Sequence, residues 1–313
     1  MDPLCHTLTG AAMGEAGLKR RTALGMATLL LAANMPDIDV GVFATDTLAV
    51  SFRRGWTHGV LAVAVLPVVL TGVMLAIDRA WPGRSGAARP RADARGLLLL
   101  AYLGILSHVF LDFLNSYGIR LLMPFSNRWF YGDALYIVDP WMYVLLGGGV
   151  YLARWRARRG FARPWQPARL GLALASAYVA LMLGSNLWAR AEVRAELTRA
   201  GQPDARFMVT PVAVNPFHRE VIVDTGARYE KGVLWFAPAP HFRPAGYGVD
   251  TNLATPLAAA ASADPRARAF LGWSRFPFFA IQSTPDGPRT LVNDYRYSDQ
   301  SGRTGWAGVV VGH

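Results

Sequence analysis

The chain has 313 residues, 52% of them hydrophobic, and a mean hydropathy of +0.22, which is too apolar for an ordinary soluble enzyme. The formal net charge of +11 comes almost wholly from arginine, because lysine occurs only at Lys19 and Lys231. These arginines bunch in loops between apolar runs, so helix orientation explains them better than nucleic acid, and no nucleic-acid partner is predicted. The one cysteine, Cys5, excludes an internal disulfide and a cysteine-based metal site.

Apolar runs dominate the first part of the chain. A small-residue segment over 3–17 is followed by an apolar run over 23–33, which ends where Pro36 would stop a helix. Residues 40–58 are predicted to form a loop. Longer runs predict membrane spans over 59–77, 96–114, 137–153 and 170–188. These patterns predict a mainly α-helical membrane domain, residues 1–188, with about four to six membrane helices.

Beyond residue 188 the pattern changes to short alternating runs separated by Pro, Gly and Asn. Residues 189–200 are predicted to extend the last span, and residues 255–271 predict another helix. The alternating runs predict strands over 207–214, 220–224, 229–236, 276–282 and 289–297. We therefore expect a small β-rich (α+β) domain over residues 189–313.

The arginine-rich loops set the expected orientation. The positive-inside rule assigns Lys19–Arg21 and the basic loops 78–95 and 154–169 to the cytoplasm. All the firmer candidate ligands then lie on the opposite side, as does the C-terminal domain. The chain is therefore predicted to be a multi-pass membrane protein with an extracytoplasmic C-terminal domain.

The run that ends in Gly104–Asn115 carries the strongest site signal. His108, Asp112 and Asn115 stand at offsets i, i+4 and i+7, which share one helix face. An imidazole and a carboxylate one turn apart are a standard pair of divalent-metal ligands. The structural alternative is a His–Asp hydrogen bond that ties two helices together.

Further candidate ligands lie near the ends of the other spans: Asp37, Asp39, His58, Asp133 and Asp139. Mixed His and carboxylate ligands suit zinc, manganese or iron, and more than four potential ligands support a cluster of two or more metals. For each acid the alternative is a helix cap or a turn. His6 reaches these residues only if the segment 3–17 crosses the membrane, yet fifteen residues span about 22 Å of a core about 30 Å thick.

Among the arginines in the loops assigned to the outer side are Arg53, Arg54 and Arg128. Arg54 is predicted to bind a phosphate or carboxylate in bidentate fashion. For Arg53 and Arg128, anchoring to lipid headgroups is the favoured interpretation.

Six motifs lie within roughly residues 1–150: His6-x-x-x-Gly10, Asn34-x-Pro36-Asp37-x-Asp39, Arg54-Gly55-x-Thr57-His58, His108-x-x-x-Asp112, Gly132-Asp133 and Asp139-Pro140. Together they resemble the YdjM-like family, bacterial inner-membrane proteins generally described as membrane-bound metal-dependent hydrolases. The resemblance implies a location in the bacterial inner (cytoplasmic) membrane. That family is in turn distantly similar to zinc-dependent phospholipase C, and by this likeness Asp39, His58, His108 and Asp112 are expected as ligands, with His6 as a further one. The chain lacks the additional histidines that complete the third zinc in those enzymes, so one or two ions are expected.

The residues and the resemblance together predict a metal-dependent hydrolase that cleaves a phosphoester at the outer membrane boundary. Asp37 or Asp133 would act as general base and Arg54 would orient the phosphate. Membrane lipids and a lipid-like or phosphorylated substrate are the expected partners, and zinc the expected metal, with manganese as the alternative. Two other hypotheses stay open: an ion or metal transporter, and a non-catalytic scaffold whose β-domain binds a partner.

Overall fold

The computed structural model describes residues 1–45, 47–80, 91–284, 287–299 and 308–311. The chain divides into two compact units, one of Met1–Gly41 with Arg53–Gly184 and one of Val42–Phe52 with Ser185–His313. The expected domain boundary at residue 188 lies inside a continuous helix, Gln166–Arg199. Of the predicted basic loop 78–95, residues 81–90, with Arg84 and Arg89, lie outside the described residues.

The helices and strands are numbered in chain order. The helices are α1 (Pro3–Glu15), α2 (Gly25–Ala32), α3 (Ala49–Phe52), α4 (Val60–Ala80), α5 (Ala94–Phe113), α6 (Pro140–Arg158), α7 (Gln166–Arg199), α8 (Pro256–Ser262) and α9 (Pro265–Leu271). The strands are β1 (Arg206–Pro211), β2 (His218–Asp224), β3 (Arg228–Trp235), β4 (His241–Asp250), β5 (Pro277–Thr284), β6 (Gly287–Asp294) and β7 (Gly308–Val311). Short 3₁₀ segments cover Leu18–Arg20, Met35–Ala44 and Tyr295–Tyr297.

Among the described residues, α4, α5 and α7 are each long and apolar enough to cross a membrane. A fourth candidate is α2 with the 3₁₀ segment that follows it, a pair bent by 48°. These elements confirm a helical membrane region. The predicted span 137–153 is helical as α6 but is not among these candidates, because its last turns carry Arg154, Arg156 and Arg158.

The first unit is built around α5, which packs against α1, α2 and α4, while α1 also packs against α6. Two glycines allow close approaches among α1, α2 and α5. A methyl group on Gly104 of α5 would lie 2.4 Å from the Cβ of Ala32, and one on Gly10 of α1 would lie 2.8 Å from the carbonyl oxygen of Leu29. Small residues at such crossings let membrane helices pack backbone to backbone, so α1, α2 and α5 form one tight group.

The second unit contains two antiparallel sheets, β1-β2-β3-β4 and β5-β6-β7. In the first sheet Val209 pairs with Val221, and Met208 pairs with Ile222. Because side chains alternate along a strand, the two pairs lie on opposite faces. The valine face is buried with the last turns of α7, and the other face with Tyr229, Phe276 and Phe278. The fold class, a helical membrane domain followed by a small β-rich domain, is confirmed.

Four elements differ from the sequence-based prediction. Strands β4 and β7 are not among the predicted strands. β4 contains Pro244 and two glycines, but it is an edge strand, where proline is tolerated. The helix expected over 255–271 is two helices, since Asp264 caps a new helix that begins at Pro265. The loop expected over 40–58 contains the end of a 3₁₀ segment and the short helix α3.

Candidate metal centre

Four helix ends of the first unit meet at one place. α1 brings His6 in its first turn, the 3₁₀ segment after α2 brings Asp37, the turn before α4 brings His58, and α5 brings His108 and Asp112 near its end. The helical spacing of i and i+4 puts His108 and Asp112 on one face, as predicted. Apart from Asp37, which is partly buried, these side chains are fully buried. The convergence expected from the order of the spans is therefore present.

Three ligand atoms lie within hydrogen-bond distance of one another. Nε2 of His58 is 3.2 Å from Nε2 of His108 and 3.1 Å from Oδ2 of Asp112. Nε2 of His108 is 3.2 Å from the same carboxylate oxygen. With Asp37, these residues form a group whose ligand atoms all lie within 4.8 Å of one another. Two imidazoles and two carboxylates are a donor set that divalent zinc or manganese accepts.

The contact of Nδ1 of His108 determines which of its two ring nitrogens carries the proton. Nδ1 lies 2.7 Å from the carbonyl oxygen of Ala33, at the end of α2. A carbonyl only accepts, so Nδ1 carries the proton, and in the neutral ring Nε2 presents a lone pair to the centre.

The same reasoning applies to His58 through a hydroxyl. Oγ1 of Thr57 lies 3.0 Å from Oδ2 of Asp39, to which it donates its one hydrogen. It therefore accepts from Nδ1 of His58, 2.9 Å away. Nε2 of His58 is again left as the lone-pair nitrogen. Such outer partners orient and strengthen imidazole ligands in metal sites.

This chemistry gives a direct test of whether the residues fit a metal. Two imidazole lone pairs and one carboxylate oxygen converge at 3.1–3.2 Å, and all three are acceptors when the rings are neutral. Three acceptors in a buried site repel one another unless a cation or a proton lies among them. The residues present therefore fit a divalent ion.

Two arginines balance the acidic residues around the centre. Arg53 donates to Asp39 at 3.2 Å and to Asp37 at 3.4 Å. This places Arg53 at the site, whereas headgroup anchoring was the favoured interpretation. Nη1 of Arg54 lies 2.8 Å from Oδ1 of Asp112, and its guanidinium stands over the ring of Tyr117. Arg54 is buried, so its charge and that of Asp112 depend on each other.

His6 reaches the centre through the other oxygen of Asp112. Its Nε2 lies 3.1 Å from Oδ1, and its ring stacks on that of His108 with centroids 3.8 Å apart. The close packing of α1 on α2 brings it there. The amino group of Met1 also contacts Oδ1. The two oxygens of Asp112 thus face two sides, Oδ2 towards His58 and His108 and Oδ1 towards His6 and Arg54.

The remaining predicted residues lie outside the group of four. Asp39 sits behind His58, 3.5 Å from Nδ1, and accepts from the backbone nitrogen of Arg54 at 2.8 Å. Asp139 caps α6 and accepts from the hydroxyl of Tyr178 at 3.0 Å, which is the arrangement of the capping alternative. Asp133 is buried in a turn held against the end of α5 by its neighbours. Roles for these three acids in metal binding or catalysis stay predictions.

Sequence reasoning missed the partners that orient the histidines. Ala33 acts through its backbone carbonyl, so its side chain carried no signal. Thr57 was quoted only as part of a motif, although a hydroxyl next to a histidine was a usable clue. Asn115 was expected on the same helix face, but α5 ends at Phe113, before it. Its Oδ1 accepts from the backbone nitrogens of Tyr117 and Gly118 and so shapes the next turn.

The fold and this site define a membrane protein with a buried His/Asp centre that can hold a metal ion. The chain belongs to the YdjM inner membrane protein family, whose model matches residues 1–193. It is also similar to the uncharacterized protein YfhP of Bacillus subtilis (strain 168), with 28% identity over 154 residues. That match covers 46% of this chain and 43% of the relative, so the chain spans less than half of the relative's length. No solved structure matches the chain significantly.

Proposed function

We propose that the protein is a membrane-embedded metal-dependent hydrolase that cleaves a phosphoester bond in a lipid or lipid-linked substrate. The observation that carries this proposal is the convergence of Nε2 of His58, Nε2 of His108 and Oδ2 of Asp112 within 3.2 Å of one another in a buried site. The proposed cofactor is zinc, as one or two ions, with manganese as the alternative.

His58, His108 and Asp112 would hold the ion in this proposal. The Ala33 carbonyl and the Thr57 hydroxyl keep both imidazoles turned with Nε2 inward. Burial of these residues excludes bulk water from the ligand shell. A bound divalent ion supplies Lewis-acid polarisation of a phosphoryl oxygen and activation of a water molecule.

Asp37 is the proposed general base. Its Oδ1 lies 3.9 Å from Nε2 of His108, and Asp37 is the partly exposed member of the group of four. It can therefore accept the proton of an attacking water at Oδ1. Arg53 donates to this oxygen at 3.4 Å and orients the carboxylate. Arg54, beside Asp112, is proposed to orient the negatively charged phosphate.

The position of the centre supports an amphiphilic substrate. It lies at one end of α5, a helix long and apolar enough to cross a membrane, so a reacting group there is near the membrane boundary. We place this boundary on the extracytoplasmic side, because the arginine-rich loops follow the opposite helix ends. A phosphate held at the headgroup level, with the lipid chains in the bilayer, suits that position.

Elemental analysis of the full chain purified in detergent tests the metal first. We expect stoichiometric zinc or manganese in the wild type. The control His241→Ala, which alters a histidine of β4, should also keep the metal. His108→Ala and Asp112→Asn should lose it. Retention of secondary structure by circular dichroism separates loss of metal from loss of fold. Folded wild-type protein that takes up neither ion on reconstitution would overturn the proposal.

Hydrolysis is the second test. The metal-loaded protein should release a water-soluble phosphorylated product from phospholipid vesicles, or the chromogenic alcohol from a phosphodiester analogue. Asp37→Asn should retain metal but lose most of the rate, by about 10²–10⁴-fold for a lost general base. Metal transport into vesicles without any hydrolysis would support the transporter hypothesis instead.

A further inference from the structure

A basic cleft lies at the other end of the first unit. It has a volume of about 660 Å³ and is lined by the turn between α1 and α2, the first residues of α2, and the residues just before α5. Its lining side chains include four cations, Lys19, Arg20, Arg21 and Arg91, against one carboxylate, Asp93. The cleft thus carries an excess of positive charge.

Two of the four cations are already engaged. Lys19 forms an ion pair with Glu15, and the guanidinium of Arg20 stands 5.2 Å from the ring centroid of Trp165. Asp93 caps α5 by accepting from the backbone nitrogen of Gly96 at 2.6 Å. Its carboxylate is therefore occupied by the helix terminus.

The other two, Arg21 and Arg91, are exposed and form no ion pair with any carboxylate of the described ranges. Two guanidiniums at one cleft, without acidic partners, can both donate hydrogen bonds to one anion such as a phosphate. The first N–H groups of α2, at Met26 and Ala27, also line the cleft and favour negative charge.

The cleft is separate from the metal centre. α5 begins at Ala94 beside the cleft and carries His108 fourteen residues later, a distance of about 21 Å along the helix. α2 also starts at the cleft, and Asp37 lies beyond its opposite end, in the 3₁₀ segment that follows it. A ligand in this cleft therefore does not occupy the proposed catalytic site.

The position of the cleft relative to the membrane favours the phosphate of a lipid over a soluble phosphate. The cleft lies where the apolar helix α5 begins, and Trp165 nearby is flanked by the guanidiniums of Arg20 and Arg169. Tryptophan and arginine together are typical of the headgroup level of a bilayer. Apolar side chains of Leu24 and Met26 line the cleft beside the cations, which suits the glycerol and first chain carbons of a lipid.

We propose that this cleft binds the phosphate of an anionic phospholipid, such as phosphatidylglycerol, with Arg21 and Arg91 as the main contacts. Basic pockets between membrane helices bind lipid headgroups in this way. The bound lipid would tie the α1–α2 turn to the start of α5.

Lipid retention by the full-length protein tests this proposal. The detergent-purified chain is incubated with phosphatidylglycerol or phosphatidylcholine of identical acyl chains, and bound lipid is measured by native mass spectrometry. The variants are Arg21→Gln/Arg91→Gln and the matched control Arg158→Gln/Arg163→Gln, which removes the same charge outside the cleft. Thermal unfolding with each lipid gives a second readout.

We expect the wild type and the control to retain phosphatidylglycerol preferentially, and the cleft variant to bind it about 30-fold more weakly, in line with two lost cation contacts. Metal content should remain unchanged in the cleft variant, which distinguishes this site from the catalytic one. Equal retention of both lipids by the wild type, or an equal loss in the control, would overturn the proposal. So would displacement of the lipid by millimolar inorganic phosphate, since the cleft would then be a site for a soluble anion.

Discussion

Nδ1 of His108 lies 2.7 Å from the carbonyl oxygen of Ala33, so the end of α2 determines the tautomer of a histidine on α5. The contact forms because Gly104, one turn earlier on α5, lets the two backbones approach. A helix crossing and a ligand orientation thus depend on the same small residue.

Replacing Gly104 should therefore damage both the packing and the centre. The methyl group of Gly104→Ala would lie 2.4 Å from the Cβ of Ala32, and relief of that clash should lower stability by about 1–3 kcal/mol. The control is Gly148→Ala in α6, where the added methyl group meets nothing within 4 Å. It should be neutral or stabilise the helix by about 0.5–1 kcal/mol. The thermal midpoint and zinc content of the two variants are compared with those of the wild type. Equal midpoints and equal zinc content in Gly104→Ala and Gly148→Ala would contradict the packing argument.

Thr57 should act on metal affinity without touching the ion. Thr57→Val removes the oxygen that accepts from Nδ1 of His58 and should weaken metal binding about 10–100-fold. Thr57→Ser keeps the hydroxyl and should remain near the wild type. Competition with a chelator of known affinity measures both. An unchanged affinity in Thr57→Val would mean that the hydroxyl does not orient His58.

Asp112 and Arg54 should behave as a coupled pair. Asp112→Asn keeps the shape but removes the charge, so metal is lost and the buried guanidinium of Arg54 stays uncompensated, at a cost of about 3–5 kcal/mol. Adding Arg54→Met should restore much of this stability but not the metal. A double-mutant cycle of unfolding midpoints with zinc content measures both effects. Simple additivity would show that the two charges are independent.

The second unit should lose stability in acid through Asp294. Burial by itself raises the pKa of Asp294, but the guanidinium of Arg296, 2.7 Å away, and the hydroxyl of Ser274 hold that pKa below its usual value. The folded state thus favours the ionised carboxylate more than the unfolded state does. This stabilisation is present above the unfolded pKa of about 3.9 and is lost as the pH falls through the lowered folded value.

The corresponding variant is Asp294→Asn, compared with the wild type by near-ultraviolet circular dichroism of the full chain. At neutral pH it should be less stable, because the buried guanidinium of Arg296 loses the opposite charge of Asp294. Below about pH 4 the wild type should approach the variant, which should change less with pH. Parallel pH profiles would exclude Asp294 as the titrating group.

Several features could be predicted from neighbouring residues alone. Long apolar runs form α4, α5 and α7, because a stretch without charges has few alternatives to a buried or membrane helix. The spacing of His108 and Asp112 puts them on one face by helix geometry. Alternation along Met208–Val209 and Val221–Ile222 produces a sheet with two buried faces. Each of these follows from a backbone period that operates over a few residues.

The sequence by itself thus determined the long helices, most strands and the residue types of the centre. Only the tertiary structure decided that His6 reaches Asp112, that Asp37 joins the group of four, and that Asp39 lies behind His58. These pairs are separated by about 20 to 100 residues in the chain, so no local period relates them. Their distances depend on how closely α1, α2 and α5 pack, which glycines and small side chains control through van der Waals contact.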